Sequence, residues 1–284
     1  MSSSTAVLQD TKKIFRTCGA CSHTFFYILN REFGYPKEAE ERASNPLAGG
    51  MMCGQQCGML WGAALAVGAE SFRRYDDRGQ AMATAIMATQ SLMESYSKRA
   101  KSVNCRDVIG CDLSSKLGMM RLMLQIVLHG GLNNSLCFNL ADAWAPEAIQ
   151  AAAEGLSHEL PDLSQPPLSC ASEVARKMGA SDEEMVMVAG FAGGMGLSGN
   201  ACGALGAAIW MNTLAWCKKH PGENPPISKN YTAKIFNAFY DATGSEMFCH
   251  KIAGQRFKTI NDHTEFIKCG GCAKVIHALA MEGI

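Results

Sequence analysis

The sequence predicts an all-α protein built from two tandem homologous helical repeats that pack as one pseudo-symmetric unit. Three observations carry that expectation. Four cysteine-centred segments recur in the same order in both halves, the apolar residues follow a 3.6-residue period, and no four- to eight-residue alternating run argues for a strand.

The duplication is explicit. Cys21-Ser-His-Thr-Phe-Phe-Tyr-Ile-Leu-Asn-Arg-Glu-Phe-Gly34 parallels the shorter Cys170-Ala-Ser-Glu-Val-Ala-Arg-Lys-Met-Gly179. Leu47-Ala-Gly-Gly50 leads to Cys57-Gly-Met-Leu-Trp-Gly62, as Phe191-Ala-Gly-Gly194 leads to Cys202-Gly-Ala-Leu-Gly206. Asn104-Cys-Arg-Asp-Val-Ile-Gly110 parallels Phe248-Cys-His-Lys-Ile-Ala-Gly254, and Cys137-Phe-Asn-Leu parallels Cys272-Ala-Lys-Val. The offsets of the four cysteines are 149, 145, 144 and 135 residues. One such match means little, but four in the same order mean duplication. The first repeat is expected over 14–156 and the second over 170–284. Residues 157–169, polar and proline-rich, are expected to link them.

Along the chain, Gly34, Gly110, Gly179 and Gly254 stand where helices should stop, as left-handed caps. Two charge-free runs, 43–69 and 185–217, are long enough to span a bilayer, but Pro46, Gly49-Gly50 and Gly193-Gly194 break them. Each is expected to be a buried loop running into a helix, with no transmembrane segment. Asp77 to Lys101 carries helical spacing. Asp112 to Leu128 is apolar on most faces, which predicts a buried helix. Pro146 with Glu147, and Ser181 with Asp182 and Glu183, read as helix starts, and His220 to Ile227 as a loop. Trp61, Trp210 and Trp216 are expected to serve core packing.

Composition narrows the function. The 284 residues carry 26 basic and 26 acidic side chains, so no field draws the chain to phosphate backbones, and nucleic acid is not an expected partner. Hydrophobic residues make up 48% and charged ones 18%, which excludes intrinsic disorder. Residues 1–10 have neither the basic nor the apolar region of a signal peptide, so the expected location is cytoplasmic. There, thirteen cysteines read as metal ligands or redox thiols rather than as structural disulfides.

Each half offers a four-cysteine set, Cys21, Cys57, Cys105 and Cys137, then Cys170, Cys202, Cys249 and Cys272. Thiolates suit iron–sulfur clusters or zinc, and a helix N-terminus favours the thiolate form. Cys18, Cys53 and Cys269 are additional or substitute ligands: Cys18-Gly-Ala-Cys21 and Cys269-Gly-Gly-Cys272 are CxxC pairs, and Cys53 has no counterpart in the second half. Cys111 and Cys217 read as ordinary buried thiols. His23, His250 and His277 read as partly exposed helical residues, while Arg106 and His250, each following a site cysteine, are expected to lower its pKa or tune a cluster. No nucleotide loop or hydrolase motif is present.

The order Cys, Gly-Gly with Cys-Gly-Ala-x-Gly, Cys, Cys resembles the C_GCAxxG_C_C redox-active proteins, a domain type that includes one in a split-Soret cytochrome. The second copy matches the central motif in Cys202-Gly-Ala-Leu-Gly206. The first departs from it, with Trp61 where the motif has Gly. The resemblance implies an iron–sulfur cluster, 2Fe-2S or 4Fe-4S, one per half, used in electron transfer or in redox chemistry for a partner enzyme. Two other readings stay open: a metal-free thiol–disulfide oxidoreductase using the CxxC pairs, and a structural zinc–thiolate protein. The low charge further suggests a homo-oligomer or a docked redox partner.

Overall fold

A computed structural model describes residues 10–113 and 115–282. Among these residues the chain forms fifteen α-helices and no strand, and its only β pairings are two isolated bridges. The first half contains α1 (Thr11–Cys18), α2 (Cys21–Glu32), α3 (Glu38–Ala43), a 3₁₀ turn (Asn45–Leu47) and an irregular turn (Gly50–Gly54). It continues with α4 (Gly58–Arg74), α5 (Arg78–Arg99), α6 (Cys105–Ile109), α7 (Lys116–Leu128) and α8 (Leu136–Gly155). The second half repeats the order from α2 onward: α9 (Cys170–Lys177), α10 (Asp182–Met187), a 3₁₀ turn (Ala189–Phe191), α11 (Gly203–Lys219), α12 (Lys229–Thr243), α13 (Cys249–Ile252), α14 (Ile260–Lys268) and α15 (Ala273–Met281).

Short polar side chains start these helices. Ser115, Ser135, Ser169 and Ser228 accept the free amides of α7, α8, α9 and α12, and Ser181 with Glu184 forms a reciprocal capping box on α10. All four expected stop glycines have positive φ, from +67° to +83°.

The halves pack reciprocally. Helix α4 lies against α10 of the second half, and its counterpart α11 lies against α3 of the first. Two tryptophans fasten this exchange. Trp61 is fully buried and meets Phe191 edge-on at 4.6 Å, and a Cβ at Gly206 would stand 2.4 Å from its ring. Trp210, also fully buried, donates its indole N–H to the Glu40 carbonyl at 3.2 Å. Both serve core packing between halves, while Trp216 stacks half-buried on His220. At the rim, Glu183 takes both Lys37 at 2.7 Å and the Tyr35 hydroxyl at 3.0 Å. One core cluster therefore draws residues from both repeats.

Three expectations need correction. Helix α7 is not buried: only its inner side packs, Met119 and Leu122 lying on a small cluster of Cys105, Ile109, Cys111 and Leu113, and the described residues provide no second layer for the outer face. Pro146 does not start a helix but sits inside α8. It is tolerated because Pro146 and Asp142, whose carbonyl loses its helical partner, both face solvent. His23 is buried, not exposed, on the inward side of α2.

Residues 157–169 have no helical structure beyond their first positions, yet they are pinned down by α14. The Leu168 amide donates to Thr264 Oγ1 at 3.1 Å, the Leu168 carbonyl meets His263 Nδ1 at 3.1 Å, and Asn261 donates to the Asp162 carbonyl at 3.0 Å. Burial holds the His263 pKa down to about 4, the bond to Leu168 opposing it. Above pH ~6.5 the ring is neutral in the folded and unfolded chains alike. As the pH falls from there toward 4 only the unfolded chain takes up the proton, so stability declines over that window, by up to about 3 kcal/mol. Denaturant unfolding between pH 4 and 7 checks this, and His263→Gln should flatten that part of the profile. Trp61→Ala should cost about 3–5 kcal/mol in the same assay, because it empties the joint between halves.

Candidate functional site

All eight repeated cysteines stand at helix starts. Cys21, Cys105, Cys170 and Cys249 are the first residues of α2, α6, α9 and α13. Cys57, Cys202 and Cys272 cap α4, α11 and α15, and Cys137 is the second residue of α8. Four helix N-termini thus bring free amides and the positive end of the helix dipole to the thiols of each half.

A two-residue antiparallel clamp sets the second and third cysteines side by side. The Cys57 amide donates to the Val103 carbonyl at 2.8 Å, and the Cys105 amide to Gln55 at 2.7 Å. The second half repeats it, Cys202 to Met247 at 3.0 Å and Cys249 to Asn200 at 2.6 Å. The bridges Gln56–Asn104 and Ala201–Phe248 are these clamps. They join segments almost fifty residues apart in each repeat.

The glycine pairs bring backbone to the first cysteine. Gly49 and Gly193 have φ of +63° and +58°, which L side chains avoid. Their amides donate to the sulfurs of Cys21 and Cys170, alongside the amides of Ser22 and Ala171. A Cβ at Gly58 would lie 2.5 Å from Cys21 Sγ, and one at Gly203 would lie 1.8 Å from the Phe191 carbonyl oxygen. Among the described residues six non-glycine residues have positive φ, namely Met51, Met52, Met195, Leu197, Ser245 and Cys272. Four lie in the two glycine turns, Ser245 precedes Cys249, and Cys272 is itself a site residue, so backbone strain concentrates around the thiols.

Electrostatics separates the halves. In the first, the hydrogen bond from Cys57 lowers the Cys21 pKa against the opposing effect of burial, and the same contact raises Cys57. Burial raises Cys105, with Cys21, Cys137, Cys111 and Cys53 adding to the effect, and pushes Cys137 up to about 12. In the second half burial raises all four: Cys170 against the amides around it, Cys202 to about 12, and Cys249 and Cys272 with the neighbouring thiols adding. The thiols of each set therefore feel one another.

Cys53 and Cys111 stand with the first set, both acting on Cys105. Cys111 is buried beside Cys105, with Cys137 packed against the same cluster. Its sequence context, unduplicated and without a motif, gave no sign of this. Burial raises the Cys18 pKa to about 12, and Glu41 is the largest charge on it. Cys269 is exposed and bonded to Glu265 rather than turned to Cys272. Cys217 is buried beside Arg42. His277 is exposed, while His250 is half-buried.

Arg106 and His250 do not lower the neighbouring cysteines, which burial raises. They tie the glycine turns instead: Arg106 donates to the Cys53 carbonyl at 3.3 Å, and His250 Nδ1 meets the Gly199 carbonyl at 2.7 Å. Sequence reasoning also passed over a duplicated tyrosine, nine residues before the third cysteine of each half. Tyr96 is fully buried, and its hydroxyl lies beside Cys57, whose charge and hydrogen bond add to burial in raising its pKa. Tyr240 faces Cys53 across a cavity of about 320 Å³ lined also by Met51, Met52 and Phe236.

The donor set suits a thiolate-bound group: four thiols per half, amide donors directed at sulfur, and a buried tyrosine hydroxyl beside Cys57. No three His, Cys, Asp or Glu side chains among the described residues close up as ligands of a single metal ion.

A family model described as "Putative redox-active protein (C_GCAxxG_C_C)" matches residues 19–127 and, separately, 168–282. No curated protein and no solved structure matches the chain. The glycines at the sites are directly testable. Gly203→Ala should destabilise the chain by about 1–3 kcal/mol and accelerate alkylation of Cys170 and Cys202, read by mass spectrometry, while leaving Cys21 and Cys57 protected.

Proposed function

Because the chain belongs to the C_GCAxxG_C_C redox-active family, twice over, we propose that each half binds one iron–sulfur cluster and that the protein moves electrons for a partner enzyme. The ligands are Cys21, Cys57, Cys105 and Cys137 in the first half, and Cys170, Cys202, Cys249 and Cys272 in the second. The observation that carries this reading is the duplicated placement of three buried thiols and one half-buried thiol at four helix starts, with backbone amides donating to Cys21 in the first set and to Cys170 and Cys202 in the second.

A cluster held in this way supplies one-electron transfer, its potential set by hydrogen bonds to sulfur and by burial. The chain's own groups account for the rest. The amides of Gly49 and Ser22, and of Gly193 and Ala171, stabilise negative charge on Cys21 and Cys170. The Tyr96 hydroxyl is buried beside Cys57 and points a donor at sulfur in the first half. Cys57 and Cys202 are held in place by the bridge clamps, so neither side chain has to be ordered when the group binds. Cys137 and Cys272 are the half-buried members of their sets, and Cys272 lies beside Lys251 and Lys274, which gives an electron a short way out on that side.

One observation favours a second reading, metal-free dithiol chemistry: the Cys21–Cys57 hydrogen bond, which lowers the Cys21 pKa. That pair, rather than either CxxC pair, would then be the reactive one. Protein purified without oxygen separates the readings. Iron with acid-labile sulfide and broad visible absorption is the expected result. Zinc without sulfide, or metal-free protein with rapidly titrating thiols, contradicts it.

A further inference from the structure

Eight of the ten exposed large apolar side chains among the described residues lie in one stretch, 117–136. Leu117, Met120, Leu124, Val127, Leu128 and Leu132 are 55–76% exposed. The underside of α7 is apolar as well, lying over a cavity of about 180 Å³ lined by Ile109, Leu122, Ile126 and Cys137. A helix that is apolar all round belongs in an interior, and contiguous apolar patches on monomers rarely exceed a few hundred Å². The repeat architecture does not require this surface. On the counterpart α14, Ile260, His263, Thr264 and Ile267 face inward, and Asp262, Glu265 and Lys268 face solvent.

We propose that α7 is a dimerisation helix, covered by α7 of a second copy of this chain about a two-fold axis. Leu117, Met120, Leu124 and Val127 are spaced three, four and three residues apart, the a/d seam by which one helix packs along another. An isologous pair sets that seam against itself, so one surface supplies both sides of the contact. The exposed residues of 117–136 amount to an area comparable with the roughly 800 Å² that each partner gives up in a stable interface. The charges fit a protein seam better than a lipid surface. Residues 116–136 contain no acid and only two full cations, Lys116 and Arg121, too few for firm attachment to an anionic membrane. No helix among the described residues is long and apolar enough to cross a membrane. Cys137 lies beneath α7, so the second copy closes the solvent side of the first thiol set. The inference rests on the apolar face alone and holds whatever the thiols bind.

Sedimentation equilibrium of the full chain under reductant, across the micromolar range, tests it. The expected result is a dimer mass for the wild type and for Ile227→Glu, which alters an exposed apolar residue elsewhere. The double variant Leu117→Glu/Leu124→Glu should be monomeric, with a dissociation constant raised about 100-fold or more and unchanged helix content. A wild type that stays monomeric, a dimer that survives the double variant, or a monomer that instead floats with anionic vesicles overturns the proposal. Should the double variant not fold, amide exchange in the wild type decides. Exchange across 117–128 should slow as concentration rises, and no change with concentration overturns it.

Discussion

A thiol taken out of water loses the solvent that would stabilise its charge, so a protein that buries six of them and half-buries two more must replace that solvent or keep them protonated. Burial is the largest effect raising six of the eight here, and the chain answers it with helix N-termini and backbone amides. The helix starts, the left-handed glycines at 49 and 193 and the bridge clamps all follow from bringing backbone donors to sulfur. The rest of the fold holds these short segments in place. Helices α4 and α11, each opening at a site cysteine, run into the core and pack across the junction between repeats.

That junction makes the halves one unit without making them identical. Trp61 takes the place where the second repeat has Gly206, and the two meet: the indole occupies the space that the missing side chain leaves. The substitution that departs from the motif is therefore a packing complement between repeats. The first site gathers further groups, with Cys53 and Cys111 near Cys105, and Tyr96 and Tyr240 both turned toward it. The second has no such additions, and its Cys272 reaches the surface. In the proposed function this fits a division in which the first site is the chemically richer one, while each site keeps one half-buried thiol, Cys137 and Cys272.

Much of this was legible in the residues. Duplication gave the repeat order, and the stop glycines and the Ser181 start gave helix boundaries, because both act locally through φ or through a single amide. Less local properties were not legible. Cys111 has no motif, and its place beside Cys105 depends on how α6 and the following turn pack. The CxxC spacing of Cys18 and Cys21 did not show that Gly19, in its left-handed conformation, ends α1 between them, or that Glu41 is the largest charge on Cys18. The apolar character of α7 implied burial, and periodicity carries no information on whether the covering layer comes from the same chain. Arg106 was read for its charge, while its structural role, holding a loop carbonyl, comes from reach.

The central claim is that each repeat is a self-contained cradle for one cluster. Iron and sulfide content of Cys105→Ser, Cys249→Ser and the double variant, all purified without oxygen, tests it most directly. Each single variant should retain about half of the wild-type content, and the double variant none. A single variant that loses all of the iron, or a double variant that keeps it, contradicts the account.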